Sequence, residues 1–114
     1  MLNHDPDLDR MFHALGDASR RAMLARLCLG PATVGELAQP LAMSLPAVMQ
    51  HLQVLEASGL VGTEKVGRVR TCRLVPERLA AAEDWIRARR GIWESRLDRL
   101  GALLDAVPTE GETP

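Results

Sequence analysis

The spacing of apolar residues changes once along this chain, and where it changes limits the fold. Up to Ser58 apolar residues recur three and four apart, in short segments broken by Gly and Pro, the mark of short amphipathic helices. Leu60–Val66 and Val69–Val75 then form two short runs rich in β-branched residues on either side of Gly67–Arg68, which reads as a β-hairpin ended by Pro76. From Glu77 to about Val107 the composition is helical again, with no proline before Pro108. The expected fold class is therefore mainly α with a small β-hairpin, in the order α-α-α-α-β-β-α.

The helices before the switch carry their own punctuation. Asp5 caps a helix over residues 6–15, with Pro6 in its first turn and Leu8, Met11, Phe12 and Leu15 as one apolar stripe. Gly16 stops it. Asp17 caps a second helix, roughly 18–29, with Met23, Leu24, Leu27 and Cys28 on one face, and Gly30–Pro31 ends it. Thr33 caps a short third helix with Val34, Leu37, Ala38 and Leu41 inward, limited by Pro40. Ser44 caps a fourth, about 45–58, whose inward positions are Leu45, Val48, Met49, Leu52 and Leu55. Pro46 is tolerated there because it lies in the first turn.

Composition sets the outer bounds. The chain of 114 residues is 46% apolar and 25% charged, ordinary for one soluble globular domain. We expect a single domain over 1–108, with a helix–turn–helix at 33–58, a hairpin unit at 60–75, a helix at 77–107, and a flexible tail at 109–114. Asp5, Asp7 and Asp9 stand where a signal peptide would have its basic region, and the longest stretch without a formal charge, Leu37–Leu55, holds two prolines and several polar residues. The expected location is cytoplasmic, with no membrane partner. The net charge of −1 hides a strong segregation. Acids collect at the ends, no Lys or Arg occurs from Pro31 to Leu60, and Lys65, Arg68, Arg70 and Arg73 crowd into the hairpin.

The third and fourth helices carry a further pattern. Ala38, Ala42 and Val48 put small residues where two helices touch and where they turn, and a branched residue where the second helix locks on the first. Ala42 stands where Gly is commonest. A helix–turn–helix followed at once by a hairpin is the layout of a winged helix. On these residues the chain resembles the ArsR-type (ArsR/SmtB) winged helix–turn–helix transcriptional regulators, dimeric repressors of small operons. The resemblance covers roughly residues 7–105. It rests on LGDASRRAMLARL (15–27), SLPAVMQHLQVLEASGLV (44–61) and EKVGRVRTCRL (64–74), while WIRARRGIWESRLDRL (85–100) is similar to the last helix of a branch lacking the usual metal sites.

The resemblance implies a partner, double-stranded DNA, and a division of labour. The fourth helix enters the major groove with Ser44, Pro46, Ala47, Gln50 and His51 outward. Gln50 suits adenine, Ala47 a thymine methyl, and Ser44 a base or phosphate. This helix has no cation, so affinity has to come from Lys65, Arg68 and Arg70 of the wing on phosphate or in a minor groove, with Arg20 and Arg21 as further phosphate candidates. Each has a plainer structural alternative: His51 as a residue covering the core, Ser44 as a cap, the wing cations as a solvated cluster, Arg73 as a partner of Glu64, and Arg20 or Arg21 as partners of Asp17.

The last helix carries Trp85, Ile86, Ile92, Trp93, Leu97, Leu100 and Leu104 in one stripe, more apolar surface than a core this small absorbs. It is expected to form a homodimer interface, joined by Leu8 and Phe12, against the alternative that it folds back on its own domain. A two-fold dimer would meet an imperfect palindrome with half-sites about one turn apart. No cofactor is expected. His4, His13, His51, Cys28 and Cys72 show no ligand spacing, no Cys lies in the third helix, and neither His nor Cys follows Pro76, so no metal site is expected. No inducer can be read, and a thiol switch using Cys28 and Cys72 stays open beside the plainer reading of both as small residues on apolar faces. A winged-helix protein-interaction module without DNA binding is the alternative, and it predicts a neutral wing. An enzyme is not expected, because no nucleophile–base–carboxylate set or phosphate loop is present.

Overall fold

The computed structural model describes residues 5–107. The expected tail at 109–114 and His4 lie outside them. The element order is α1 (Pro6–Leu15), α2 (Ala18–Leu27), β1 (Ala32–Thr33), α3 (Val34–Ala38), α4 (Leu45–Ala57), β2 (Val61–Val66), β3 (Val69–Leu74) and α5 (Pro76–Ala106). This is a winged helix, with one element the sequence reading lacks. The hairpin is joined by β1 into a three-stranded antiparallel sheet ordered β1-β3-β2, with Ala32 opposite Cys72 and Thr33 opposite Thr71.

The starts of the first four helices have a chemical cause. The Asp5 carboxylate accepts from the backbone N–H of Asp7 and Leu8, and Asp17 accepts from that of Arg20 at 3.0 Å. Thr33 and Glu36 form a reciprocal capping box, and Ser44 accepts from Ala47 N–H. A cap of this kind contributes roughly 0.5–2 kcal/mol. Thr33 is extended (φ −75°, ψ 162°), as a cap must be, and the same extension lets Ala32–Thr33 pair along the free edge of β3.

The core of the first unit, which ends at Ala82, is built from Met11, Met23, Leu37, Val48, Leu52, Leu55, Leu60 and Cys72, all buried. Leu52 and Leu55 are fully enclosed, so truncating either to Ala costs about 2–5 kcal/mol. Two inward expectations fail. Leu45 is 56% exposed, because at the first position of α4 it precedes the turn that meets the core. Cys28 is exposed, because α2 ends at Leu27 and Cys28 is already its C-cap, off the apolar stripe.

The second unit begins at Glu83 and holds the rest of α5. Its surface is organised along the helix: Arg87 pairs with Glu83 and Asp84, and the Arg89 guanidinium lies 4.4 Å from the Trp85 ring centroid. Trp85, Ile86, Ile92, Trp93, Leu97, Leu100 and Leu104 are all exposed, Trp93 by 62%. Among the described residues no helix is long and apolar enough to cross a membrane.

Candidate nucleic-acid interface

The site is assembled from α4 and the wing. Pro46, Gln50 and Gln53 follow one another at i, i+4 and i+7, one face of a helix, and all three are exposed. Ser44 is exposed at the cap; Ala47 and His51, four residues apart, flank the face and are half-buried. From Leu45 to Leu55 this helix has no acid and no Lys or Arg. Gln53 was not singled out in the sequence, although its spacing from Pro46 and Gln50 marks it.

The wing turn is set by Gly67, which has φ +64°, while among the described residues no non-glycine residue has positive φ. Positive φ at only the first central residue of a two-residue loop suits the right-handed twist of the strands, and Gly adopts it without strain. Val66 pairs with Val69 beneath the turn, and Lys65 pairs with Arg70 one step further. Like charges directly opposite on antiparallel strands are unfavourable. Here one of them has a counter-charge: Arg70 NH1 lies 3.7 Å from Glu56 Oε1, near the end of α4. That oxygen is buried and has no hydrogen-bond partner, so the Arg70 charge is its main compensation. Sequence reasoning missed Glu56, since nothing local ties residue 56 to residue 70.

Lys65, Arg68 and Arg70 line a groove of about 510 Å³ with Thr33, Gly35 and Met49. The groove brings the wing cations beside α4 and the start of α3. Val66 and Val69 are exposed at the tip, an apolar pair the sequence reading left unremarked. Arg73 is outside this group: its guanidinium lies against Gly62, its cross-strand partner, and Glu64 faces Thr71 instead.

Arg20 and Arg21 have a different setting. Arg20 donates from Nε to Ala14 O (2.8 Å) and from NH2 to His13 O (3.0 Å), and its NH1 lies 3.2 Å from His51 Nδ1. Arg21 donates from NH1 to Leu15 O at 2.8 Å. Both guanidinium groups thus satisfy carbonyls at the end of α1, where positive charge also suits the helix dipole. Asp17 is held below the usual carboxylate range, first by the Arg20 backbone N–H, against a burial effect, with help from His51 and the Arg20 charge. Burial, with Glu56 adding to it, pushes the Cys72 thiol up against the opposing influence of Arg70. Of the two α1 candidates for an interface, Leu8 is partly buried against the core and Phe12 is at the surface.

Comparison with known proteins agrees with this fold. Residues 15–64 match the family described as helix-turn-helix domain. Over 88 residues, the chain is 46% identical to the HTH-type transcriptional regulator Rv2034 of Mycobacterium tuberculosis (strain ATCC 25618 / H37Rv), covering 73% of this chain and 82% of that protein. The crystal structure of an ArsR family transcriptional regulator is similar with a TM-score of 0.77 at 47% identity, over 83% of this chain and 98% of that one. An ArsR-like transcriptional regulator from Rhodococcus sp. RHA1 is similar with a TM-score of 0.74 at 29% identity, over 89% and 95% of the two chains.

Proposed function

Because the chain belongs to the ArsR family of helix–turn–helix transcriptional regulators, we propose that it is a homodimeric repressor that binds a short, imperfectly palindromic DNA site. The observation that carries this reading is the contrast between a chargeless, exposed α4 face and the cationic groove beside it. A helix without cations gains little from phosphate anywhere on DNA, so its contribution depends on matching base edges. Gln50, with Ser44, Pro46, Ala47 and His51 around it, is the reading surface. Lys65, Arg68 and Arg70 supply the phosphate attraction that orients it, and Arg21 adds one more contact through donors not directed at Leu15. The basic wing favours DNA over a protein-interaction module.

Dimerisation is supported by the exposed stripe of α5. A 31-residue helix is about 46 Å long. Two tryptophans and five aliphatic residues between Trp85 and Leu104, about 30 Å of that length, form an apolar face that water disfavours and a second copy would cover. Leu8 and Phe12 of α1 are proposed as further dimer contacts. Two-fold pairing sets the two α4 helices against successive major grooves.

The test combines sedimentation with DNA titration. The protein is expected to sediment as a dimer and to bind duplexes in a saturable, salt-sensitive way. Trp93→Glu is expected to give monomers with much weaker binding. A monomeric wild-type protein, or binding indifferent to ionic strength, contradicts the reading.

A further inference from the structure

We propose that Arg20 is a positioning residue of this interface. It holds His51 in the tautomer with its proton on Nε2, so that α4 offers a hydrogen-bond donor to the acceptor edge of a guanine. The proposal rests on the DNA-binding reading above and adds to it the chemistry His51 recognises.

A guanidinium only donates. With Arg20 NH1 3.2 Å from Nδ1, that nitrogen accepts, and a neutral imidazole then carries its proton on Nε2. The guanidinium cannot easily turn away, because its Nε and NH2 are held by Ala14 O and His13 O. Asp17 Oδ2, at 3.8 Å from Nδ1, is too distant to be a hydrogen-bond partner, though its charge favours a cationic ring; the Arg20 guanidinium beside Nδ1 opposes that cation. From α4 itself no charged group lies between Leu45 and Leu55. The His51 side chain is 22% exposed, and among the described residues Nε2 is not a buried atom left without a partner.

A fixed donor and an amide discriminate between different bases. Gln50 carries both a donor and an acceptor and matches adenine. His51 as an Nε2–H donor is accepted by N7 or O6 of guanine, and also by adenine N7 or thymine O4. Guanine suits it best because it presents two adjacent acceptors with no donor beside them, and cytosine, whose major-groove edge offers an amino donor, refuses it. Arg20 therefore influences base choice through a ring nitrogen, without touching DNA.

The experiment has two arms on the full chain. Long-range proton–nitrogen NMR of ¹⁵N-histidine protein at pH 7.5, with His51→Gln for assignment, reads the tautomer without DNA. The Nε2–H form is expected; an Nδ1–H form or a cation overturns the proposal. In the second arm every base pair of the preferred duplex is substituted in turn, and wild type is compared with His51→Ala. One guanine is expected at which wild type loses roughly tenfold and His51→Ala loses nothing. No such position, or equal loss on random duplexes, overturns the base contact. Arg20→Lys, if its thermal melting shows it folded, is expected to mix the tautomers and reduce that guanine preference. An unchanged preference overturns the positioning role. Should wild type bind no duplex at all, the DNA reading fails and takes the base contact with it, while the tautomer is still decided by the first arm.

Discussion

Glu56→Gln is the substitution whose effect on DNA binding follows most directly from the geometry. In the free protein Arg70 faces Glu56 at 3.7 Å, and the two side chains are 39% and 32% exposed. At an effective dielectric of about 20 the bare attraction is about 4 kcal/mol. Solvent screening and the entropy of long side chains reduce such pairs to about 1 kcal/mol or less. Phosphate has to compete with that residual attraction for the same guanidinium. Removing the carboxylate charge while keeping the side-chain shape should therefore tighten binding by up to about fivefold. The slope of log K against log salt should become steeper by as much as about 0.9, the value for one more phosphate fully neutralised. Fluorescence anisotropy of a labelled duplex between about 50 and 200 mM salt measures both. An unchanged affinity and slope would refute the idea that Glu56 competes with DNA for Arg70.

Other expectations separate the parts of the interface. Arg68→Ala should weaken binding to all duplexes alike and reduce the salt slope by about one, as read in the same anisotropy titration. Gln50→Ala should cost about 1–3 kcal/mol on the preferred site only and relax one base position; equal loss on random DNA would remove it as a reader. In native protein at neutral pH a maleimide should label exposed Cys28 quickly and buried Cys72, its thiol pushed up by desolvation, only after unfolding. Two fast equivalents would contradict that burial. Asp17 is depressed in the folded state, so its contribution to stability is present above the ordinary carboxylate range and is lost as pH falls through the depressed value. Asp17→Asn should therefore flatten the acid limb of a melting-temperature profile.

What the sequence disclosed, it disclosed through local chemistry. Asp5, Asp17, Thr33 and Ser44 announce their helices because a cap acts on N–H groups two or three residues away. Gly67 marks the wing for the same reason. The strand Ala32–Thr33 was invisible, since two residues have no period and their partners, Cys72 and Thr71, are far along the chain. The outward face of α4 was legible from helical spacing, with Leu45 misjudged because a helix's first residue lies beyond the packed turn. The long-range polar contacts were not legible. Arg20 meeting His51, and Arg70 meeting Glu56, depend on how α1, α2, α4 and the sheet pack, and no pattern within one segment encodes that.

The central claim is that two copies read DNA together, each through a helix without cations steadied by a cationic wing. Selection of bound duplexes from a random pool tests it most directly. The account predicts an enriched site with two inverted half-sites whose centres lie about one helical turn apart. Failure to enrich any sequence, or enrichment of a solitary half-site, would contradict it.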